Sequence, residues 1–244
     1  MAGENDVPRI SVCMTLLDGA PFLAGQIESI LSQLPARSEI VVADDGSRDG
    51  SPESLAALGD PRIRILPPAD PSRGPLGPAR NAERALAAAR GEIVFLADQD
   101  DVWLPGKVER VLEALRSATL VLHDAWLYRP DADGKFVRAE RLGEIRPWAP
   151  GLFRNWLRNG YVGCCMAFRR ELLREALPFP ERIPMHDQWL GLAAERKFSV
   201  AYVPEPLLLW RRHAGTATRP EGGGVPLLRR IRWRFDLALA LLRR

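Results

Sequence analysis

In the first hundred residues, short apolar runs alternate with stretches whose apolar positions recur every three to four residues, the pattern of strands feeding helices. Strands are predicted over 9–16, 39–43, 62–66 and 92–97. Pro21 opens a helix in which Phe22, Leu23, Ile27, Ile30, Leu31 and Leu34 share a face. Ser51, followed by Pro52, is placed as the N-cap of a short second helix, and an alanine-rich helix is predicted from Pro78 to Arg90, closed by Gly91. Residues 67–77, rich in Pro and Gly, read as a loop. The second half is less regular, with a strand at 119–122, an apolar run Leu207-Leu208-Leu209-Trp210 and a helix led by His186-Asp187. Such alternation predicts an α/β fold, a mostly parallel central sheet flanked by helices.

Residues 226–244 depart from this pattern. Leu228, Ile231, Phe235, Ala238, Leu239 and Leu242 fall on one helical stripe, while Arg229, Arg230 and Arg232 lie largely off it. Six arginines against Asp236 give this tail +5; with +3 for the whole chain, residues 1–225 carry −2. A basic amphipathic helix of this kind either docks on the domain before it or rests on an anionic membrane surface. The slightly acidic remainder argues against nucleic acid as a partner. At 244 residues the chain fits one large domain, 1–225, followed by the tail helix. The start lacks a basic segment leading into a hydrophobic one, and no apolar run approaches the roughly 20 residues of a bilayer span. A cytoplasmic location is expected, the tail offering contact with the inner face of a membrane. Cys13, Cys164 and Cys165 lack metal-ligand spacing and are expected as buried free thiols.

The chemistry concentrates where the run Ile93-Val94-Phe95-Leu96-Ala97 gives way to Asp98-Gln99-Asp100-Asp101. Carboxylates crowded at a strand end repel one another unless a cation joins them, and a hard divalent ion that also holds phosphate oxygens suits the set. A second pair, Asp44-Asp45, ends the strand at 39–43. Ligands of open α/β sheets bind beyond the carboxyl ends of the strands, so the two clusters are expected to face one crevice. By itself Asp44-Asp45-Gly46-Ser47 would be an Asx turn. No G-x-G-x-x-G follows the first strand, which counts against a nicotinamide enzyme.

Four segments, ISVCMT at 10–15, IVVADDGS at 40–47, ARNA at 79–82 and GEIVFLADQDDVW at 91–103, resemble in order and spacing the inverting glycosyltransferases of family 2, which have the GT-A fold. The Asp-Gln-Asp-Asp-x-Trp variant, with Met185-His186-Asp187-Gln188-Trp189 and Leu209-Trp210-Arg211-Arg212-His213, is most similar to the rhamnosyltransferase-like branch. That resemblance implies transfer of a sugar, L-rhamnose in this branch, from a dTDP- or UDP-linked donor to a hydroxyl of a saccharide or lipid-linked glycan, with Mg2+ or Mn2+ as cofactor. It also implies residue roles. Thr15 and Leu17 lie along the nucleotide base, and Asp45 accepts the base's imide N–H. Arg80 approaches the donor diphosphate, and Arg211 steadies phosphate or Asp187. Asp98 holds the ribose or reaches the metal through water, Asp100 ligates the metal, and His213 is a further ligand. Asp187 is the catalytic base, with Trp189, His186 and Asp124 on the acceptor side.

Each role has a plainer counterpart: a turn cap for Asp45, a solvated helix charge for Arg80, an N-cap for Asp187, a core position for Trp189. Asp101 is assigned to capping the next helix. Trp210 and Arg212 depart from the residues usual in the relatives without touching the chemistry. Gln188 departs too, beside the base, which bears on acceptor choice. Two other classes fit in part. A sugar-nucleotide nucleotidyltransferase also uses strand-end aspartates but needs a basic glycine-rich loop near the first strand, and residues 15–21 hold neither Lys nor Arg. Against a non-catalytic nucleotide-sugar-binding module stands the joint presence of Asp98, Asp100, Asp187 and His213.

Overall fold

The computed structural model describes residues 9–69, 74–213, 216 and 226–243. Expectations for the start of the chain, for residues 70–73 of the proline-rich loop and for the end of the predicted domain up to 225 lie outside the described residues.

Ile10–Leu16 (β1), Ser38–Asp44 (β2), Ile63–Ile65 (β3) and Ile93–Asp98 (β4) pair in parallel, in the order β3-β2-β1-β4. Strands β1, β2 and β4 are buried nearly throughout, which is why they read as continuous apolar runs and not as alternating ones. Ala20–Leu31 (α1), Ser51–Ala57 (α2) and Pro78–Ala88 (α3) connect them. The second half adds Val102–Trp103 (β5), Leu120–Pro130 (β6), Phe136–Arg141 (β7), Met166–Arg169 (β8) and Val200–Arg211 (β9). The sheet order is β3-β2-β1-β4-β8-β6-β9-β5, with β7 attached to β6. Strand β8 is antiparallel to both its neighbours, β4 and β6, and β9 is parallel to β6. Six strands therefore point one way while β5, β7 and β8 run against them, the mostly parallel sheet the sequence predicts. The helices of this half are Lys107–Ala114 (α4), Leu142–Ile145 (α5), Leu152–Leu157 (α6), Leu172–Ala176 (α7) and His186–Lys197 (α8).

Three local expectations are corrected. The strand predicted at 119–122 runs on to Pro130 as β6. Gly50, in the left-handed region at φ 82°, is the N-cap of α2, and Ser51 instead accepts the Gly19 N–H at 3.0 Å. Gly91 lies beyond the end of α3; a Cβ there would sit 2.5 Å from the Ser11 backbone nitrogen, so close approach to β1 explains the glycine.

The tail forms a helix, Leu227–Leu242 (α9). It docks by Leu237 and Ala240, both buried, with the Trp156 indole donating to the Arg234 carbonyl at 3.0 Å and Arg234 Nε to the Leu157 carbonyl at 3.0 Å. The docked face is not the predicted stripe: Leu228, Ile231, Phe235, Leu239 and Leu242 face solvent. No helix among the described residues is long and apolar enough to cross a membrane. All three cysteines are buried and free, as expected.

Candidate active site

Strands β1, β2, β4 and β9 end at one edge of the sheet, and parallel register fixes what meets there. Thr15 lies opposite Asp98, and Leu16 opposite Asp44. The buried Gln26 of α1 donates to the Asp98 carbonyl at 2.7 Å. Gln99 clamps the loop after β1, its amide accepting the Leu17 N–H and donating to the Leu17 carbonyl at 2.7 Å. Gly19 makes room for that clamp, since a Cβ there would stand 2.8 Å from the Gln99 amide carbon. Thr15 and the exposed Leu17 are thus fixed beside the acids.

The short strand β5 turns the chain back against β9, with Val102 opposite Leu209 and Trp103 opposite Leu208. That antiparallel register carries Asp100 and Asp101 to the end of β9. The Arg211 N–H donates to Asp101 at 2.9 Å and Arg211 Nε to the Asp100 carbonyl at 2.6 Å. Asp101 is therefore a buried staple to β9 and caps nothing, the N-cap of α4 being Gly106. His213 Nε2 is 2.9 Å from Asp100 Oδ2, so the two residues assigned to the metal are brought together.

Neighbouring residues of a strand face opposite ways, and this separates Arg211 from Arg212. The Arg211 guanidinium sits among Phe22, Tyr128 and Phe136, 4.8, 5.1 and 4.9 Å from the ring centres, committed to aromatic faces and the Asp100 loop. Arg212 stacks on Trp210 at 4.5 Å and faces Asp98, Asp100 and Asp101; its Nη1 is buried with no hydrogen-bond partner. The sequence reading set Arg212 aside. Alternation along β9 was the signal that could have found it.

Burial first, then the charges of Asp100 and Asp187, push the Asp98 carboxyl up to about 7. Asp101 is pushed well up by burial and by the charges of Asp100 and Asp98. Beneath the cluster lies a lysine the sequence reading missed. Lys107 is 1% exposed, donates to the Cys164 carbonyl at 2.9 Å and rides over the Trp103 ring at 4.2 Å; burial lowers it to about 8.

Ligand atoms of Asp98, Asp101 and Cys164 lie within 4.8 Å of one another. A hydrogen bond to Cys165 and burial hold the Cys164 thiol protonated, so the useful donors are carboxylates. Asp101 Oδ2 is buried without a hydrogen-bond partner. Carboxylate oxygens with the His213 imidazole beside them fit a hard divalent cation.

Asp187 lies in the first turn of α8, buried, and its Oδ1 accepts from Asn159 at 3.1 Å and from the Gln188 N–H. Its charge is felt at Asp98, so the two carboxylates lie near one another. His186 is buried beside it, held below its ordinary pKa by desolvation, and Gly163 makes space for its ring: a Cβ at 163 would be 2.9 Å from His186 Nε2.

Several predicted site residues are placed otherwise. Trp189 is 1% exposed, with its indole donating to the Ala176 carbonyl at 2.9 Å; a ring so enclosed cannot stack on an acceptor. Asp124 is buried and saturated by the N–H groups of Ala125 and Gly143 and by Arg141, so it anchors β6 to α5 and β7. Arg80 bonds Glu83 and the carbonyls of Phe179 and Pro180, clamping the segment ahead of α8 and not reaching toward a diphosphate. Asp45 accepts the Leu76 and Gly77 N–H groups at 2.7 and 2.8 Å, so a base imide would use a remaining lone pair. Asp44, not Asp45, makes the Asx turn, receiving Gly46 and Ser47.

A mostly parallel sheet flanked by helices, with acids, a histidine and an arginine gathered at its carboxyl edge, is the GT-A architecture. The chain belongs to a family of that class: residues 11–177 match the model of "Glycosyl transferase family 2". It is 38% identical over 200 residues to the succinoglycan biosynthesis protein ExoO of Rhizobium meliloti, covering 78% of this chain and 56% of that protein. Among solved structures, Staphylococcus aureus TarS in complex with UDP-GlcNAc superposes with a TM-score of 0.69 at 17% identity, covering 96% of this chain and 66% of that one. The mannosyltransferase PcManGT from Pyrobaculum calidifontis, in complex with GDP-Man and Mn2+, superposes with a TM-score of 0.61 at 19% identity, covering 97% and 75%. The chain thus spans only about half the length of its curated relative.

Proposed function

We propose that this chain transfers a sugar, with inversion, from a nucleoside diphosphate donor to a hydroxyl of a saccharide or lipid-linked glycan. The carrying observation is the convergence of Asp98, Asp100 and His213 from one side and Asp187 from the other. Asp100, His213 and Asp98 would hold Mg2+ or Mn2+. When bound, the ion supplies Lewis-acid neutralisation of the departing diphosphate. Arg212, facing the acids with an unpartnered N–H, takes the diphosphate contact that the sequence reading gave to Arg80 and Arg211. Thr15 and Leu17 lie beside the base, and Asp45 selects a pyrimidine imide, uracil or thymine. Asp187, oriented by Asn159, draws the proton from the acceptor hydroxyl as that oxygen attacks opposite the leaving diphosphate.

The similarity to a polysaccharide biosynthesis protein supports a glycan acceptor. The Asp-Gln-Asp-Asp-x-Trp variant supports L-rhamnose on a dTDP carrier, and the basic tail supports a cytoplasmic enzyme working at the membrane face through residues 226–244. A panel of dTDP- and UDP-sugars with Mn2+ and saccharide acceptors tests the assignment. In that assay Asp187→Asn keeps donor binding while transfer falls by about 10²–10⁴-fold. Undiminished transfer removes Asp187 as the base.

A further inference from the structure

Large apolar side chains that face solvent are concentrated on two adjoining helices. Of the twelve among the described residues, Leu152, Phe153 and Leu157 belong to α6, and Leu228, Ile231, Phe235, Leu239 and Leu242 to α9. Helix α9 is apolar on two opposite sides, one docked through Leu237 and Ala240 and one turned outward. Between those sides lies a cavity of about 580 Å³ lined by Leu228, Arg229, Arg232, Trp233 and Asp236 of α9 and, from the opposite wall, Arg182 and Ile183. Arg229 lies over the Trp233 ring at 5.2 Å, and Arg232 reaches Asp236 only at 3.9 Å. Arg182 is exposed and makes no hydrogen bond or ion pair with the described residues. The first turn of α9 also opens here, and no side chain caps it.

We propose that this cleft binds the phosphate of an anionic lipid while the outward stripe of α9 enters the bilayer beside it. The inference deepens the membrane contact assigned above to residues 226–244 and rests on it. What is new is that the site is shared with Arg182, four residues before His186. Three guanidinium groups against the one carboxylate of Asp236 leave the cavity net positive, which suits a phosphate, and the stripe beside them matches acyl chains. A second copy of the chain is the poorer occupant, because an isologous contact would bury this net-positive patch against its own copy. Since Arg182 lies in the segment leading into α8, lipid bound here would set the Asp187 side of the crevice against the membrane.

The test is flotation of the purified full chain with vesicles of phosphatidylcholine alone or with phosphatidylglycerol added. Binding is expected to the anionic vesicles only, and Arg182→Ala should weaken it about fivefold, the effect of one arginine at a charged surface. Phe235→Ser with Ile231→Ser should weaken it further, without changing migration as a monomer. Equal binding to neutral vesicles or undiminished binding by Arg182→Ala would each overturn the proposal. A concentration-dependent dimer abolished by the serine pair would overturn it in favour of self-association. None of these readouts needs sugar transfer, so failure here is distinct from failure of the catalytic assignment.

Discussion

Asp98 gives the sharpest handle on the site. With its carboxyl pushed to about 7, the group is about one-tenth ionised one pH unit below that value and about nine-tenths ionised one unit above it. A divalent cation bound with the help of the ionised form therefore meets a competent site about ten times more often at pH 8 than at pH 6. Titration calorimetry with Mn2+ should show the apparent affinity rising about tenfold over that interval and then levelling, with proton release near pH 6 read from buffers of different ionisation enthalpy. Asp98→Asn should bind more weakly and with a flat profile. An affinity independent of pH in the unaltered protein would refute the reasoning, and so would a slope that persists in Asp98→Asn. The stability consequence has a definite sign. A carboxyl raised above its unfolded value holds its proton longer in the folded state, so its contribution is complete below about pH 4 and is lost as the pH rises through about 7. Thermal denaturation without metal should show that decline, and Mn2+ should raise Tm more at pH 8 than at pH 6.

Three further outcomes follow from the packing. Trp189→Phe removes the hydrogen bond to Ala176 inside the core and should cost about 1–3 kcal/mol of stability by urea denaturation while leaving KM for the acceptor unchanged; a raised KM would return Trp189 to the acceptor site. Gly91→Ala drives a methyl group into the β1 backbone and should destabilise by about 1–3 kcal/mol or more in the same assay, and wild-type stability would contradict the close-approach account. Arg211→Lys keeps the charge but loses the planar group seated among three rings, and should weaken Mn2+ binding by roughly tenfold through a loosened Asp100 loop, with the fold intact by circular dichroism. Unaltered Mn2+ affinity would show that the ring cage does not position Asp100.

The first half of the fold was legible because β1, β2 and β4 are inner, parallel strands buried on both faces, and so appear as uninterrupted apolar runs. Strands β5, β7 and β8 were not, being short or reversed pieces whose pairing is set by long-range contact and not by local pattern. Within the site, Asp98 and Asp187 could be placed from strand end and helix start. The roles of Asp101 and Lys107 could not, since each depends on what long-range packing brings alongside, while Arg212 was open to the alternation that runs on from Trp210. The same limit explains Arg80 and Asp124: as charges they look available, and only tertiary structure shows their donors or acceptors taken. For Trp189 the helical spacing with Leu192 and Ala193 already admitted a core position, and burial decides for it.

The register that sets Val102 against Leu209 has a temporal side. A chain emerging from the ribosome can form β1 to β4 early, yet Asp98, Asp100 and Asp101 must then wait for the partners that arrive with Arg211, Arg212 and His213, more than a hundred residues later. Nascent chains halted before β9 would hold a half-sheet with its acids open to water, unable to take up cation or donor. Competence would therefore switch on only once β9 has emerged.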